Sequence, residues 1–571
     1  MVDVTARIQL EHLMPKGLLG LRLFPIRTSS VRVWSLSKEV HCEDFLLGLP
    51  IADDFTIDSG GCAASIEMYG GAGLAGNAGG VRCANVGNLQ IKGIGSTQLA
   101  GNSTDKWHRH GALSLQDAVR ECVMGELFHC ATPHGAVRGV GIADLAVSFV
   151  TEVGLEGLPG SAPRALLFRE LSVRVAHFMR SSFMNAGPEL AHRELDRMRD
   201  GIPRFVDWLC SSGLTPGFDA AARGVELVFD RLMRQVAVLR AKRLVHGSLI
   251  PSNFCIDGRL LDFTTSTAVS TYQPVMVALG GLTTQQQHHQ VLEALPDVLF
   301  YISKFDPRCA VPRAHIGEMA EVLKAQLQNS HHQYLMEETL ALFGFSQTEL
   351  KRLSQLIQNE LLSVLVAAIR QGTVRGHFYF GGDEHPMLPQ EGKDDVFALI
   401  ASAIAASTGL SLPASALYTP RPDAFSDRVR EGLTRAYQAA VLEVLPGAAP
   451  TLNCGMAWLI RAMQRNADLT PLYRRNLDGL INEVCTTGGD FGALVESTVA
   501  DWRGVFESPA DGTVALRGWL CTESAVLLPS GQLQFDGNSY NSVDLARLTP
   551  PANIRPRHRW LLEVAAANRW H

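Results

Sequence analysis

Within LVHGSLIPSNFCIDGRLLDF, residues 244–263, Asn253 and Asp262 offer an amide oxygen and a carboxylate. These are the hard oxygen ligands that Mg²⁺ or Mn²⁺ accepts while leaving further positions to phosphate and water. Between them, Asp257-Gly258 is a two-residue hairpin signal. With that turn, Ile256 pairs with Arg259, Cys255 with Leu260, Phe254 with Leu261, and Asn253 stands opposite Asp262. Taken alone, the stretch reads equally as an ordinary hairpin with polar ends. Upstream, Lys92 closes the run LQIK and Glu121 lies within DAVRECVMGELFH. A lysine ammonium can hold an anionic oxygen, and a carboxylate can hold that ammonium. Either one by itself reads as a solvated surface charge. Four such types in this order, on suitable elements, make coincidence much less likely.

Those residues need elements to carry them. Leu115, Val119, Cys122, Val123 and Leu127 recur at helical spacing and predict a helix over about 114–131 with one buried face. LQIKGIGS reads as a short strand. The preceding GGCAASIEMYGGAGLAGNAGG is dense in glycine, a composition that lets backbone amides approach a phosphate or simply forms a surface loop. Beyond Pro188 the pattern is mainly helical, and VELVFDRLMRQVAVLRAKR leads directly into the metal stretch. MAEVLKAQLQNS and TELKRLSQLIQNELLSVLVAAIRQ are further helical segments, and VFALIASAIAASTGLSLPASAL from Val396 reads as a buried helix. GTVALRGWLCTESAVLLPSGQLQF alternates like strands with a turn at Ser530-Gly531. The run TTQQQHHQ reads as a polar linker or helix start.

The pattern H-G-x(5)-N-x(8)-D-F, preceded by a helix, resembles the metal-binding loop of protein kinases. Five segments narrow that likeness. YGG at 69–71 with the glycines that follow through Arg82, the LQIKGIGST run, VRECVMGELFH, FRELSVRVAHF and the 244–263 stretch together resemble the selenoprotein O family. The likeness spans about residues 65–275. It implies a kinase-like two-lobed α+β fold and transfer of AMP from ATP bound in a flipped orientation. It further implies that Lys92 holds ATP phosphates, Glu121 orients Lys92, Asn253 and Asp262 bind the metal, and Arg169 and Arg174 clasp the γ-phosphate. Gly79 and Arg82 would line the glycine-rich loop. Arginine suits phosphate because its planar fork gives paired, charge-assisted hydrogen bonds; salt bridging is the plainer role for both arginines.

The chain departs from that pattern in several places. Ser248 occupies the kinase base position, and Ser252 stands immediately before Asn253 where the family usually carries an acid. General-base assistance, worth about 10²–10⁴-fold, is then missing. His110-Gly111-Ala112 replaces the family's D-G-R, and the terminal AAANRWH lacks its cysteine or selenocysteine motif. Three functions follow: an AMP transferase that needs no base, a ligase-like tailoring enzyme that activates a peptide or small-molecule carboxylate as an acyl-adenylate, or an ATP-binding scaffold. The missing base also motivates a protein partner that completes the site or delivers the acceptor. His377, Asp383, Glu384 and His385 form a weaker metal candidate, and Trp107, His108, Arg109 and His110 a candidate substrate contact.

A chain of 571 residues has room for about two to four domain-sized units. We divide it into an α/β part (1–185), a helical part with the metal loop (186–390) and a mostly helical extension (391–571). The content of 46% hydrophobic and 19% charged residues is that of a globular protein, and a net charge of −6 excludes a broadly basic nucleic-acid surface. No apolar run reaches the roughly 18 residues of a membrane span. The N-terminus lacks the basic start and long apolar block of a secretion signal. The 11 scattered cysteines show neither a CxxC pair nor zinc-ligand spacing, which predicts a reduced, cytoplasmic chain.

Overall fold

The computed structural model describes the chain except residues 1–18, 26–31, 36–46, 49–61, 71–81, 87–88, 98, 100–109, 152–159, 182–187, 212–213, 270–271, 273–282, 372–395, 414–424, 508–512, 517–519, 523, 553, 555 and 570–571. Gly79, Trp107, His108, Arg109 and the whole 377–385 candidate loop lie outside the described residues. The architecture is mixed α+β.

The N-terminal strands are β1 (Leu19–Pro25), β2 (Arg32–Ser35), β3 (Leu47–Gly48), β4 (Cys62–Ile66), β5 (Cys83–Val86), β6 (Leu89–Lys92), β7 (Leu113–Ser114), β8 (Gly139–Thr151) and β9 (Gly160–Glu170). They form one antiparallel sheet in the order β2-β8-β9-β6-β5-β4-β1-β3, with β7 also paired to β9. Strand alternation sorts its side chains between two faces. Ile91, Leu166 and Phe168 pack with Ala84, Val86 and Ala143 on one face. Ala165 and Leu167 join the larger core on the other, against helix α1 (Leu115–Ala131). By the same period of two, Gln90, Lys92 and Arg169 share that second face. The sheet therefore presents its charged groups to the helix that carries Glu121.

The predicted apolar stripe of α1 is buried as expected: Leu115, Val119, Cys122, Val123 and Leu127 have no exposed surface. The hydroxyl of Ser114 caps its first turn by accepting the Asp117 N–H (3.0 Å). The rest of the helix is buried too, including Arg120, Glu121, Met124 and Phe128. C-terminal helices Arg474–Thr487 and Phe491–Phe506 pack against it. The 3.6 period marks one stripe only, and it gives no sign that the charged Arg120 and Glu121 outside that stripe are buried as well.

Helices α2 (Pro188–Leu209) and α3 (Phe218–Ala241) follow, and α3 runs into the short strand β10 (Leu244–Val245), which pairs with β11 (Thr267–Ala268). The remaining chain is mostly helical. Val396–Thr408 is the buried helix that the sequence predicts, and it ends at Gly409 with φ +75°. The segment 348–371 is two helices, Gln347–Leu350 and Gln355–Gln371, rather than one. Residues 514–541 form a small antiparallel sheet with a turn closed by Gly531 N–H to Leu528 carbonyl (3.0 Å). No helix of the described residues is long and apolar enough to cross a membrane.

The hairpin at 253–262 differs from expectation. Cys255 N–H donates to Arg259 carbonyl (2.9 Å), Gly258 N–H to Cys255 carbonyl (3.1 Å), and Phe254 bridges Leu260. The loop is therefore three residues long, with Gly258 left-handed at φ +91°, and the register is one residue away from the predicted ladder. Asp257 explains the choice: its carboxylate accepts from Arg259 N–H (3.1 Å) and Arg259 Nε (2.7 Å), the local bond that favours an Asx-type turn over a two-residue loop. Asn253 consequently pairs through its carbonyl with Leu261 N–H (3.1 Å) and not with Asp262.

Candidate active site

The slipped register leaves Asp262 one step beyond the hairpin, and its backbone turns left-handed at φ +68°. A non-glycine residue pays conformational energy to sit there, a feature that clusters at functional sites. Asp262 Oδ1 accepts from Lys92 Nζ (2.9 Å) and from Thr264 Oγ1 (3.4 Å). Lys92 Nζ also donates to Glu121 Oε2 (2.6 Å), and Arg169 Nη1 donates to the other oxygen, Glu121 Oε1 (2.7 Å). Lys92, Glu121 and Arg169 are almost fully buried, while the Asp262 side chain is 27% exposed. One end of the network is thus dry and the other opens to solvent. Burial acts to raise the Asp262 carboxyl, but the charges of Lys92, Arg169 and Arg82 outweigh it and hold the group well below the usual carboxylate range.

Arg169 and Arg174 are both in this neighbourhood and both already bonded. Gln90 faces Arg169 across the strand pair, and its Oε1 accepts from Arg169 Nε (2.5 Å) and Arg174 Nη2 (3.3 Å). Arg174 Nη1 donates to Ser252 carbonyl (2.8 Å), and its guanidinium lies 4.7 Å over the Tyr69 ring. Glu67 stands 3.7 Å from Arg174 Nε and 3.6 Å from His177 Nε2. Burial pushes the Glu67 carboxyl up, but His177 and Arg174 outweigh it and hold it at about 2. Arg174 Nε has no hydrogen-bond partner despite its burial. Arg169 and Arg174 therefore form an arginine pair braced by two carboxylates and one shared amide.

The loop at 246–253 is held from below. His246 Nε2–H donates to Leu261 carbonyl (3.0 Å), while Nδ1 accepts Ser248 N–H (3.4 Å). Burial pushes this imidazole down to about 4, so it is neutral near pH 7 and both ring nitrogens are used. Phe263 lies against the rings of Phe128 and His246. The Asn253 amide donates to Ser248 carbonyl (3.0 Å), and its oxygen accepts from Ser252 Oγ (3.3 Å). Asn253 and Asp262 supply one amide oxygen and one carboxylate. Among the described residues no three His, Cys, Asp or Glu side chains are grouped to hold a metal. This donor set fits an ion that takes its remaining ligands from phosphate and water, as Mg²⁺ and Mn²⁺ do, and does not form a protein cage.

Several positions have structural duties that their types do not announce. Gly70 N–H bonds Ala176 carbonyl (2.8 Å), and a Cβ there would lie 2.1 Å from Met179 carbonyl, so this glycine permits a chain crossing. Gly111 of the H-G-A stretch crosses Gly95 just as closely, and Arg82 Nη1 donates to Ala112 carbonyl (3.2 Å). The stretch at 110–112 thus braces the turn after Lys92. Two site-supporting residues escaped the sequence reading. Gln287 Oε1 accepts His246 N–H (3.2 Å), and Gln290 Oε1 accepts Leu249 N–H (3.3 Å). They lie in TTQQQHHQ, read above as a linker or helix start. Only their i, i+3 spacing on one helix face hinted at a shared target. No family model matches the chain, and no curated protein matches it in sequence.

Proposed function

We propose that the protein is an ATP- and divalent-metal-dependent adenylyl transferase with a kinase-like two-lobed fold of the selenoprotein O type. The observation that carries this reading is the Lys92–Glu121–Asp262 network. Three residues separated by up to 170 positions meet within 2.6–2.9 Å at the boundary between a buried floor and an open edge. An enzyme of this class works mainly by positioning and electrostatics. Lys92 would hold nucleotide phosphates, with Glu121 and Arg169 fixing its ammonium. Asn253 and Asp262 would hold Mg²⁺ or Mn²⁺, which neutralises phosphate charge when bound. Asp262 would exchange its contact with Lys92 for the metal, leaving Lys92 free to take a phosphate oxygen. Arg174, a buried guanidinium whose Nε makes no hydrogen bond and stands 3.7 Å from Glu67, would give the distal phosphates a cation, the role that the resemblance to selenoprotein O implies for adenylyl transfer.

In the proposed step the acceptor oxygen attacks the α-phosphorus, the Pα–O bond to pyrophosphate breaks, and a hydroxyl acceptor releases its proton to water or to the departing pyrophosphate. Ser248 and Ser252 flank the metal loop where a carboxylate would otherwise accept that proton. This favours a second reading in which the acceptor is a carboxylate of a peptide or small molecule. Such an acceptor has no proton to lose and yields an acyl-adenylate. ATP labelled separately on the α- and γ-phosphates tests both. Pyrophosphate release with the α-label on an acceptor supports adenylyl transfer, and hydroxylamine sensitivity of the product identifies the acyl-adenylate. Transfer of the γ-label with ADP release would refute both readings, and binding of ATP with neither label moving would favour a scaffold.

A further inference from the structure

Arg120 precedes Glu121 on α1, and neighbouring side chains on a helix point about 100° apart. Glu121 therefore faces the sheet while Arg120 faces elsewhere. It is buried, with 1% of its surface exposed. Its Nη1 donates to Ser266 carbonyl (3.1 Å), and its Nη2 donates to Arg474 carbonyl (3.1 Å) and to the Asp478 carboxylate. Asp478 also stands 3.5 Å from Arg474 Nε. Arg474 in turn reaches the chain just after Asp262: its N–H donates to Thr267 Oγ1 (2.9 Å) and its Nη1 to Thr264 carbonyl (2.9 Å). Thr264 is the residue whose hydroxyl bonds Asp262. One knot of three side chains thus ties together the helix of Glu121, the segment of Asp262, and a helix more than 200 residues further along.

The other end of α1 is tied in the same way. Lys242 Nζ donates to the carbonyl of Ala131, the last residue of α1, and to that of Phe506, the last residue of the helix Phe491–Phe506 (2.6 and 2.8 Å). The Lys242 amine, which burial pushes down to about 7, satisfies orphan carbonyls at two helix C-termini through these two donations. Apolar packing alone would have held these helices together with less specific alignment. Burying an arginine is costly unless each donor finds its acceptor, and the gain is a fixed position.

We propose that the C-terminal helices form a clamp, built into the chain, that sets the positions of Glu121 and Asp262. Arg120, Asp478 and Arg474 are then positioning residues of the nucleotide site, and the C-terminal region belongs to that site. This inference rests on the function proposed above for its catalytic consequence, but its structural half is testable without it. Asp478→Asn keeps the shape and removes the charge shared by Arg120 and Arg474. Backbone hydrogen exchange read by mass spectrometry should rise tenfold or more over residues 115–131 and 262–268, with no change over the distant helix 355–371. MgATP affinity should fall by at least tenfold in the same variant. Should Asp478→Asn not fold, Thr267→Val removes only the hydroxyl that Arg474 N–H meets, and should give the same pattern at smaller amplitude. Arg120→Lys keeps the charge without the fork and should behave like Asp478→Asn rather than rescue it. Unchanged exchange, or a uniform rise across the chain, would overturn the clamp. A local rise with MgATP affinity intact would overturn its role in the site. If the wild-type chain binds no ATP yet the local pattern appears, the clamp stands and the functional reading alone fails.

Discussion

Replacing Glu121 with glutamine should be among the most damaging isosteric changes in the molecule. The carboxylate is 4% exposed and serves two cations, Lys92 at 2.6 Å and Arg169 at 2.7 Å. In Glu121→Gln, Lys92 keeps Asp262 at 2.9 Å, so its charge remains compensated. Arg169 keeps only uncharged oxygens, that of Gln90 and at most the one the new amide retains, and is left as a buried cation without a carboxylate in direct contact. Removing one partner of a buried pair costs about 3–5 kcal/mol, and an effective dielectric of about 20 gives a pair energy of about 4 kcal/mol at 4 Å. Lys92→Met should cost less, about 1–2 kcal/mol, because Glu121 retains Arg169 and the partly exposed Asp262 turns to water. Adding Arg169→Met to Glu121→Gln should recover much of the loss, since both members of the stranded pair are then gone. A chain of this size need not unfold in one step, so urea titrations should be read together with hydrogen exchange at β6 and α1. A Glu121→Gln variant within about 0.5 kcal/mol of wild type, or a Lys92→Met variant more damaged than Glu121→Gln, would refute the charge arrangement described here.

Acid should weaken the fold well before carboxylates titrate. His246 is held near 4 by burial against an ordinary 6.5, so between those values the unfolded chain binds the proton and the folded chain does not. Stability is full above pH 6.5 and falls toward pH 4, by about 3 kcal/mol from this residue, and His331, pushed down by burial to about 3, adds to the same fall. A urea midpoint that stays level from pH 7 to pH 4.5 would contradict this. Gly93→Ala should cost at least about 2 kcal/mol and lower nucleotide affinity, because φ is +98° and the new Cβ would sit 2.6 Å from Ala165 carbonyl at the end of the lysine strand. Calorimetry with MgATP reads the second effect, and unimpaired affinity would detach Gly93 from the site. Ser252→Asp places an acid beside Asn253; increased transfer to protein hydroxyls, read with α-labelled ATP, is expected if the native site serves an ionised acceptor, and an unchanged rate counts against that acceptor class.

Local pattern was enough for much of this molecule. Apolar spacing defines the helix 115–131, alternation defines the lysine strand, and glycine marks the stop after Thr408 and the turn at Gly531. The order Lys92, Glu121, Asn253, Asp262 named the candidate site because each residue type suits one chemical task. The hairpin register lay one residue away from its dipeptide signal, since the Asp257 side chain bonds Arg259 and selects a longer loop. The sequence could not show that Glu121 is shared between Lys92 and Arg169, or that Arg174 is braced by Glu67 and Tyr69. Nor could it show that Gln287 and Gln290 support the loop at 246–253, or that Arg120 reaches Asp478. Periodicity and caps arise from forces acting within a few residues, and so they leave a mark in the sequence. An ion pair between residues hundreds of positions apart depends on which surfaces meet when the chain packs, and a charged residue looks the same in sequence whether it faces water or a buried partner.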